Sequence, residues 1–166
     1  SGCASTNTPV CARGTQHSMG GHCTPPPLGC VVDTKYLRSV SYDPKSTYVV
    51  CGPGALWSDL IVALDPHARG PHTMQSYCTF SVGGTLAVNA HGITSDDSMA
   101  SCVVRLRVAL VENGEALVRE VGPADELFGL VLGGYGLFGI VTSATLRTAP
   151  NHALEPRGRI RPLQRR

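Results

Sequence analysis

Residues 75–92 constrain this chain more than any other stretch. The segment approaches through small polar residues (Gln75, Ser76, Thr79, Ser81) and tightens at Gly83-Gly84. It then passes through a mostly apolar run from Thr85 to Ala90 and ends in His91-Gly92. Paired glycines let backbone amides come close to a ligand, because no Cβ intervenes. Such a concavity, where a helix starts just beyond it, suits a phosphate or diphosphate. A second glycine-rich loop lies far upstream, Arg13-Gly14-Thr15-Gln16-His17-Ser18-Met19-Gly20-Gly21, with a fixed cation and a His-Ser pair. Two anion-cradling loops from distant parts of one chain imply closure on a single long, doubly charged ligand. Taken alone, Ser81, Gly83, Gly84 and Thr85 read equally as a tight turn, and Arg13 as a surface charge.

Three ordered motifs carry a family resemblance. They are Arg13-Gly14-x-x-His17-Ser18-x-Gly20-Gly21, then Ser81-Val82-Gly83-Gly84-Thr85-x-x-x-Asn89-Ala90-His91-Gly92, then residues 132–142 with Gly133, Gly134, Gly136 and Gly139. Over residues 10–150 the chain resembles the flavin-binding domain of the vanillyl-alcohol oxidase and p-cresol methylhydroxylase superfamily of FAD-dependent oxidoreductases, particularly bacterial members. The resemblance implies FAD as cofactor, held by Arg13, Gly14, Thr15, Gln16, His17, Ser18 and Gly20 from the first loop. Ser76, Ser81, Gly83, Gly84, Thr85, Asn89, His91 and Gly92 would follow from the second, with the backbone of Ile140 and Val141 from the last strand.

His17 stands where part of the family bonds a histidine to the flavin's 8α carbon, a link that raises the flavin's potential. The alternative is a histidine that only hydrogen-bonds its loop, and Gln16 replaces a glycine frequent in covalent members. Doubly linked relatives attach a cysteine just before the second loop. Gap-free alignment puts that position at Tyr77 rather than Cys78, so Cys78 is expected as a buried thiol lining the flavin site.

Composition excludes several classes. A net charge of +2 and 5% aromatic residues supply neither a nucleic-acid footprint nor a base-stacking surface. No apolar run reaches membrane-spanning length. The seven cysteines contain no Cys-x-x-Cys pair, so no metal site is expected. Their scattered, odd set reads as reduced thiols, which favours the cytoplasm over secretion.

Periodicity and punctuation give the elements. Strands are expected at residues 9–12, 30–33, 46–51, 103–111, 116–121 and 139–146, with Asn113-Gly114 closing a hairpin. Helices are expected at 55–64, stopped by Asp65-Pro66, at 86–90 behind the glycine pair, and at 124–132. The expected architecture is α+β in two lobes with the flavin between them. A small α/β lobe spans about 9–74, and a larger lobe with a mixed or antiparallel sheet spans about 75–150. Residues 151–166 read as a disordered basic tail, and the chain is expected to be a fragment without the substrate-covering domain that the resemblance implies.

The parent reaction implied is hydride removal from a C–H next to O or N of a small substrate, with oxygen or another acceptor taking the electrons. The rival is a truncated module that binds FAD or a nucleotide without turnover. No catalytic base can be named, and neither substrate identity nor oligomeric state is legible.

Overall fold

The computed structural model describes residues 8–93, 97–153, 155 and 157–159. Its elements in chain order are β1 (Val10–Arg13), β2 (Cys30–Asp33), β3 (Val40–Tyr42), β4 (Tyr48–Cys51), α1 (Trp57–Leu64), β5 (Arg69–Pro71), α2 (Val82–Ala87), α3 (Met99–Cys102), β6 (Val103–Glu112), β7 (Glu115–Val121), α4 (Glu126–Val131) and β8 (Ile140–Pro150). The class is α+β, as expected.

Strands β1 and β2 form a two-stranded parallel sheet of their own, while the other strands make a six-stranded sheet in the order β3-β4-β8-β6-β7, with β5 also on β8. Every pairing in the larger sheet is antiparallel. The expected lobe boundary near residue 75 does not follow this topology. Strands β3, β4 and β5 precede that boundary, yet all belong to the large sheet, leaving β1 and β2 as the smaller unit. The reason is β8, which runs four residues past its expected end at Leu146. Its distal half pairs with Tyr48 of β4 and with Arg69–Pro71 of β5.

Local sequence explains most elements. In β4, Val49 and Cys51 are buried while Tyr48 and Val50 face out, the two-residue period of a strand with one covered face. Asn113 and Gly114 both take positive φ, 51° and 80°, which joins β6 to β7 by the expected two-residue turn. Helix α1 buries Trp57, Leu60 and Leu64. It ends at Leu64, before Asp65-Pro66 as expected, and a 3-10 turn, Asp65–His67, follows that tolerates the proline in its first turn.

The core unites these layers. Trp57, Leu60 and Leu64 from α1 and Leu86 from α2 lie in one cluster with Leu106 and Val108 of β6 and Ala144 and Leu146 of β8. Arg69 ties the sheet's far end together: its Nη2 donates to the Thr148 carbonyl and hydroxyl at 2.8 and 2.7 Å. Asn151, placed in the expected tail, is anchored by its N–H to the Ala68 carbonyl at 2.9 Å and by Nδ2 to Asp65 Oδ1 at 3.0 Å. The expectation of disorder beyond residue 159 lies outside the described residues.

Candidate functional site

The second glycine loop is positioned by α1. Trp57 and Ser58 donate their N–H groups to the carbonyls of Phe80 and Cys78, at 3.2 and 2.9 Å. The Trp57 indole reaches across to Thr85 Oγ1 at 3.2 Å, a buried bond that fixes the start of α2. Here the structure corrects the expected boundaries. Gly83 and Gly84 do not precede the helix but form its first turn, after Ser81 at the N-cap. Gly83 is required by packing: a Cβ there would meet Pro53 Cβ at 2.7 Å and Pro53 O at 3.1 Å.

The two loops face each other. A Cβ on Gly14 would collide with Ser81 Oγ. Ser81 donates its N–H to Thr15 Oγ1 at 3.2 Å, and His17 Nε2 lies 3.5 Å from Thr79 Oγ1. The His17 ring also leans on Phe80, centroids 4.5 Å apart and planes tilted by 56°. From the other side, Thr34 pins the foot of the first loop, donating from both N–H and hydroxyl to the Arg13 carbonyl at 2.9 and 3.0 Å.

Between the loops lies a cavity of about 300 Å³. Of the residues singled out from sequence, Arg13, Gly14, Thr15, Gln16, His17, Ser18, Ser81, Gly83, Gly84, Thr85, Ile140 and Val141 line it. Gly20, Ser76, Asn89, His91 and Gly92 do not. Asn89 instead serves the fold, accepting the Ala100 N–H at its Oδ1 (2.9 Å). His91 is exposed, with Nδ1 2.8 Å from the Gly92 carbonyl. Cys78, expected as a lining thiol, packs against the core instead, and Cys23 is the cysteine on the cavity wall. Sequence reasoning also gave no role to His22, nor to Phe80 and Tyr135 within the two later glycine-rich motifs, yet all three line the cavity.

The polar groups left over suit an anion. Arg13 Nε is buried with no hydrogen-bond partner, an arrangement that costs free energy unless a ligand completes it. In the second loop the free amides are fewer than a glycine cradle suggests. The N–H groups of Ser81, Val82 and Gly83 go to Thr15 Oγ1, Ala55 O and Pro53 O, which leaves that of Gly84 free among the described residues. The second loop thus offers the cavity the Gly84 amide and the Ser81 hydroxyl, and Arg13 and Ser18 line it from the first loop. The remaining wall is apolar, with Pro53, Ala87, Val88, Val131 and Ile140 suited to the faces of a ring system.

Among the described residues, no group of three or more His, Cys, Asp or Glu could hold a metal ion. No described helix is long and apolar enough to cross a membrane. Two thiols are deeply buried and kept protonated: burial raises Cys51 to about 12, with the nearby Cys102 adding to the shift, and burial raises Cys102 to about 11.

Comparison with known proteins agrees with this geometry. Residues 2–119 match a family described as the FAD binding domain. The chain is 31% identical over 151 residues to an uncharacterized oxidoreductase of the fasciation locus of Rhodococcoides fascians, covering 90% of this chain and 34% of that protein. It is 35% identical over 153 residues to cytokinin dehydrogenase 2 of Oryza sativa subsp. japonica, covering 85% of this chain and 26% of that protein. The fold matches cholesterol oxidase from Brevibacterium sterolicum with a TM-score of 0.77 at 20% identity, over 89% of this chain and 31% of that one. The chain thus spans about a third or less of the length of these relatives.

Proposed function

This chain belongs to the FAD binding domain family, with FAD as its cofactor, and from that premise we propose that it is the flavin-holding part of an oxidoreductase. In this reading the parent protein removes hydride from a C–H next to O or N of a small substrate. Electrons then leave to oxygen or another acceptor. Bound FAD supplies the two-electron acceptor. The chain's own residues bind and orient it: Arg13 and Gly84 meet the diphosphate, Ser18 and Ser81 add hydroxyls, and His17 stands against Phe80 at one end of the cavity.

The observation that carries the proposal is Arg13, which lines a cavity closed by both glycine loops and whose Nε is buried without a partner. The names of the relatives support the reaction class. A dehydrogenase of cytokinins and an oxidase of cholesterol both remove hydrogen from small organic molecules. Nothing in the cavity selects between such substrates.

The purified protein should carry a yellow chromophore with flavin absorbance. Acid precipitation then separates the two roles of His17. Colour retained in the pellet marks a covalent bond to the imidazole, and colour released to the supernatant marks FAD held without one. A protein that takes up no flavin from solution overturns the proposal. Hydride transfer is tested separately, by bleaching of bound flavin under anaerobic conditions with candidate alcohols and amines.

A further inference from the structure

The smaller unit of the fold has no core of its own. No residue from 8 to 33 is buried, and the buried residues of the hydrophobic core start at Val49. Strands β1 and β2 pair only with each other, and the loop between them leaves Met19 and Leu28 in solvent. A unit that covers so little apolar surface gains little from the hydrophobic effect, which is where small folds use covalent staples. The same stretch carries Cys11, Cys23 and Cys30, three of the six described cysteines. Among the described residues they belong to no group that could hold a metal ion.

Strand geometry sorts these three. In the parallel register Val10 lies beside Cys30, and Cys11 beside Val31. Successive positions along a strand face opposite ways, so Cys11 and Cys30 project from opposite faces of the small sheet. That pairing is excluded. The segment that does reach Cys11 is the turn from Gly21 to Thr24, closed by the Thr24 N–H on the Gly21 carbonyl at 2.9 Å. Cys11 Sγ donates to the His22 carbonyl in this turn at 3.2 Å. Cys23 is the next residue, which puts its Cα within about 6 Å of the Cys11 sulfur. The His22 ring rests on that of Tyr135, centroids 5.5 Å apart, and holds the turn beside β1. Both thiols are reduced and half-buried, and the Gly20-Gly21 pair gives the turn the backbone freedom to close the remaining distance.

We propose that Cys11 and Cys23 are a modification site, a dithiol that hydrogen peroxide converts to a disulfide. One thiolate attacks a peroxide oxygen and breaks the O–O bond, which leaves a sulfenic acid and water. The second thiol attacks that sulfur, the S–S bond forms and a second water departs. Two thiols thereby lose two electrons and two protons, and one peroxide takes them up as two waters. The bridge closes residues 11–23 into a ring that contains Arg13, His17 and Ser18. The first glycine loop is then fixed to β1 by a covalent bond in place of a weak thiol hydrogen bond.

The test starts from the whole chain, reduced with dithiothreitol, freed of reductant and divided in two. One half is treated with hydrogen peroxide at neutral pH, alkylated, unfolded and digested with trypsin, which cleaves after Arg13 and Lys35 and so parts Cys11 from Cys23. Mass spectrometry should find the two peptides joined, with fragment ions assigning the bond to Cys11 and Cys23. The thermal midpoint of the oxidised protein should lie about 5 °C above that of the reduced half, the scale expected for a loop of this length. Dithiothreitol should reverse both changes. Cys11→Ser and Cys23→Ser should each abolish the rise, and Cys30→Ser should keep it. Oxidised wild type in which Cys11 and Cys23 stay apart, or bond instead to Cys3 or Cys30, overturns the proposal. So does a rise that survives Cys23→Ser. The peptide map needs only the wild type, so it decides the matter even where a variant fails to fold. No readout here needs bound flavin, and the flavin reading stands or falls separately.

Discussion

Arg13 bears the largest unmet demand at the residue scale. Its carbonyl is fully used by Thr34, while its Nε is buried and unpaired. A side chain that serves the fold loses stability when removed, and one that serves a ligand loses affinity. Arg13→Ala should therefore lower FAD affinity by at least tenfold, since hydrogen bonds to charged groups are worth about 1.5–3 kcal/mol. The thermal midpoint of the flavin-free protein should hardly move. A midpoint that falls while affinity stays would reassign Arg13 to the fold; calorimetry and a melting curve on one preparation distinguish the two. Arg13 and His17 were legible from sequence because their motif is contiguous. His22 and Tyr135 were not, since nothing in linear order marks two distant aromatic side chains as neighbours.

At the scale of the element, α1 carries the second loop, and Asp59 carries the start of α1. Its Oδ2 accepts the Leu56 N–H at 2.9 Å and Arg38 Nε at 2.6 Å, and its Oδ1 accepts Arg38 Nη2 at 2.8 Å. The Arg38 hydrogen bonds, with help from the Leu56 amide, hold this carboxyl below its ordinary value of 3.8. A lowered folded-state pKa means the stabilisation is complete above that ordinary value and is lost as pH falls through the folded one. Asp59→Ala should cost about 1 kcal/mol at pH 7, the size of a lost helix cap. The gap between variant and wild type should shrink in urea denaturation at pH 3. An undiminished gap at that pH would mean that packing, not charge, explains the loss. Elements with strong local signals, such as the Asn113-Gly114 hairpin, appeared where expected. Strand β5 did not: Arg69-Gly70-Pro71 contains two residues that strands avoid, and only pairing with β8 makes it one.

At the scale of the whole molecule, the core encloses the Cys51 and Cys102 thiols, raised to about 12 and about 11. A raised folded-state pKa reverses the sign found for Asp59. Above the ordinary thiol value of 9.0 the unfolded chain releases protons that the folded chain keeps, so stability falls as pH rises. The decline should reach up to about 1.4 kcal/mol per pH unit for each thiol. Guanidinium denaturation between pH 8 and 11 should record it, with a flatter slope in Cys51→Ala. Equal slopes in variant and wild type would remove the buried thiol from the cause. The same thiols should resist alkylation at neutral pH until the protein unfolds, because the reactive thiolate is scarce at such pKa values.

The sequence alone determined a diphosphate-type ligand, the α+β composition and the two loops that face each other, while the cofactor class followed from the family resemblance of its motifs. Those depend on backbone chemistry written locally: glycines at close approaches, a cation beside one of them, a hairpin turn, alternating apolar residues. Only the tertiary structure decided where the lobes divide, which amides remain free and which side chains complete the cavity. Strand β8 joins segments from both halves of the chain, and Ser81, Val82 and Gly83 spend their N–H groups on Thr15, Ala55 and Pro53. Partners of that kind are set by distances through space, which residue order does not carry.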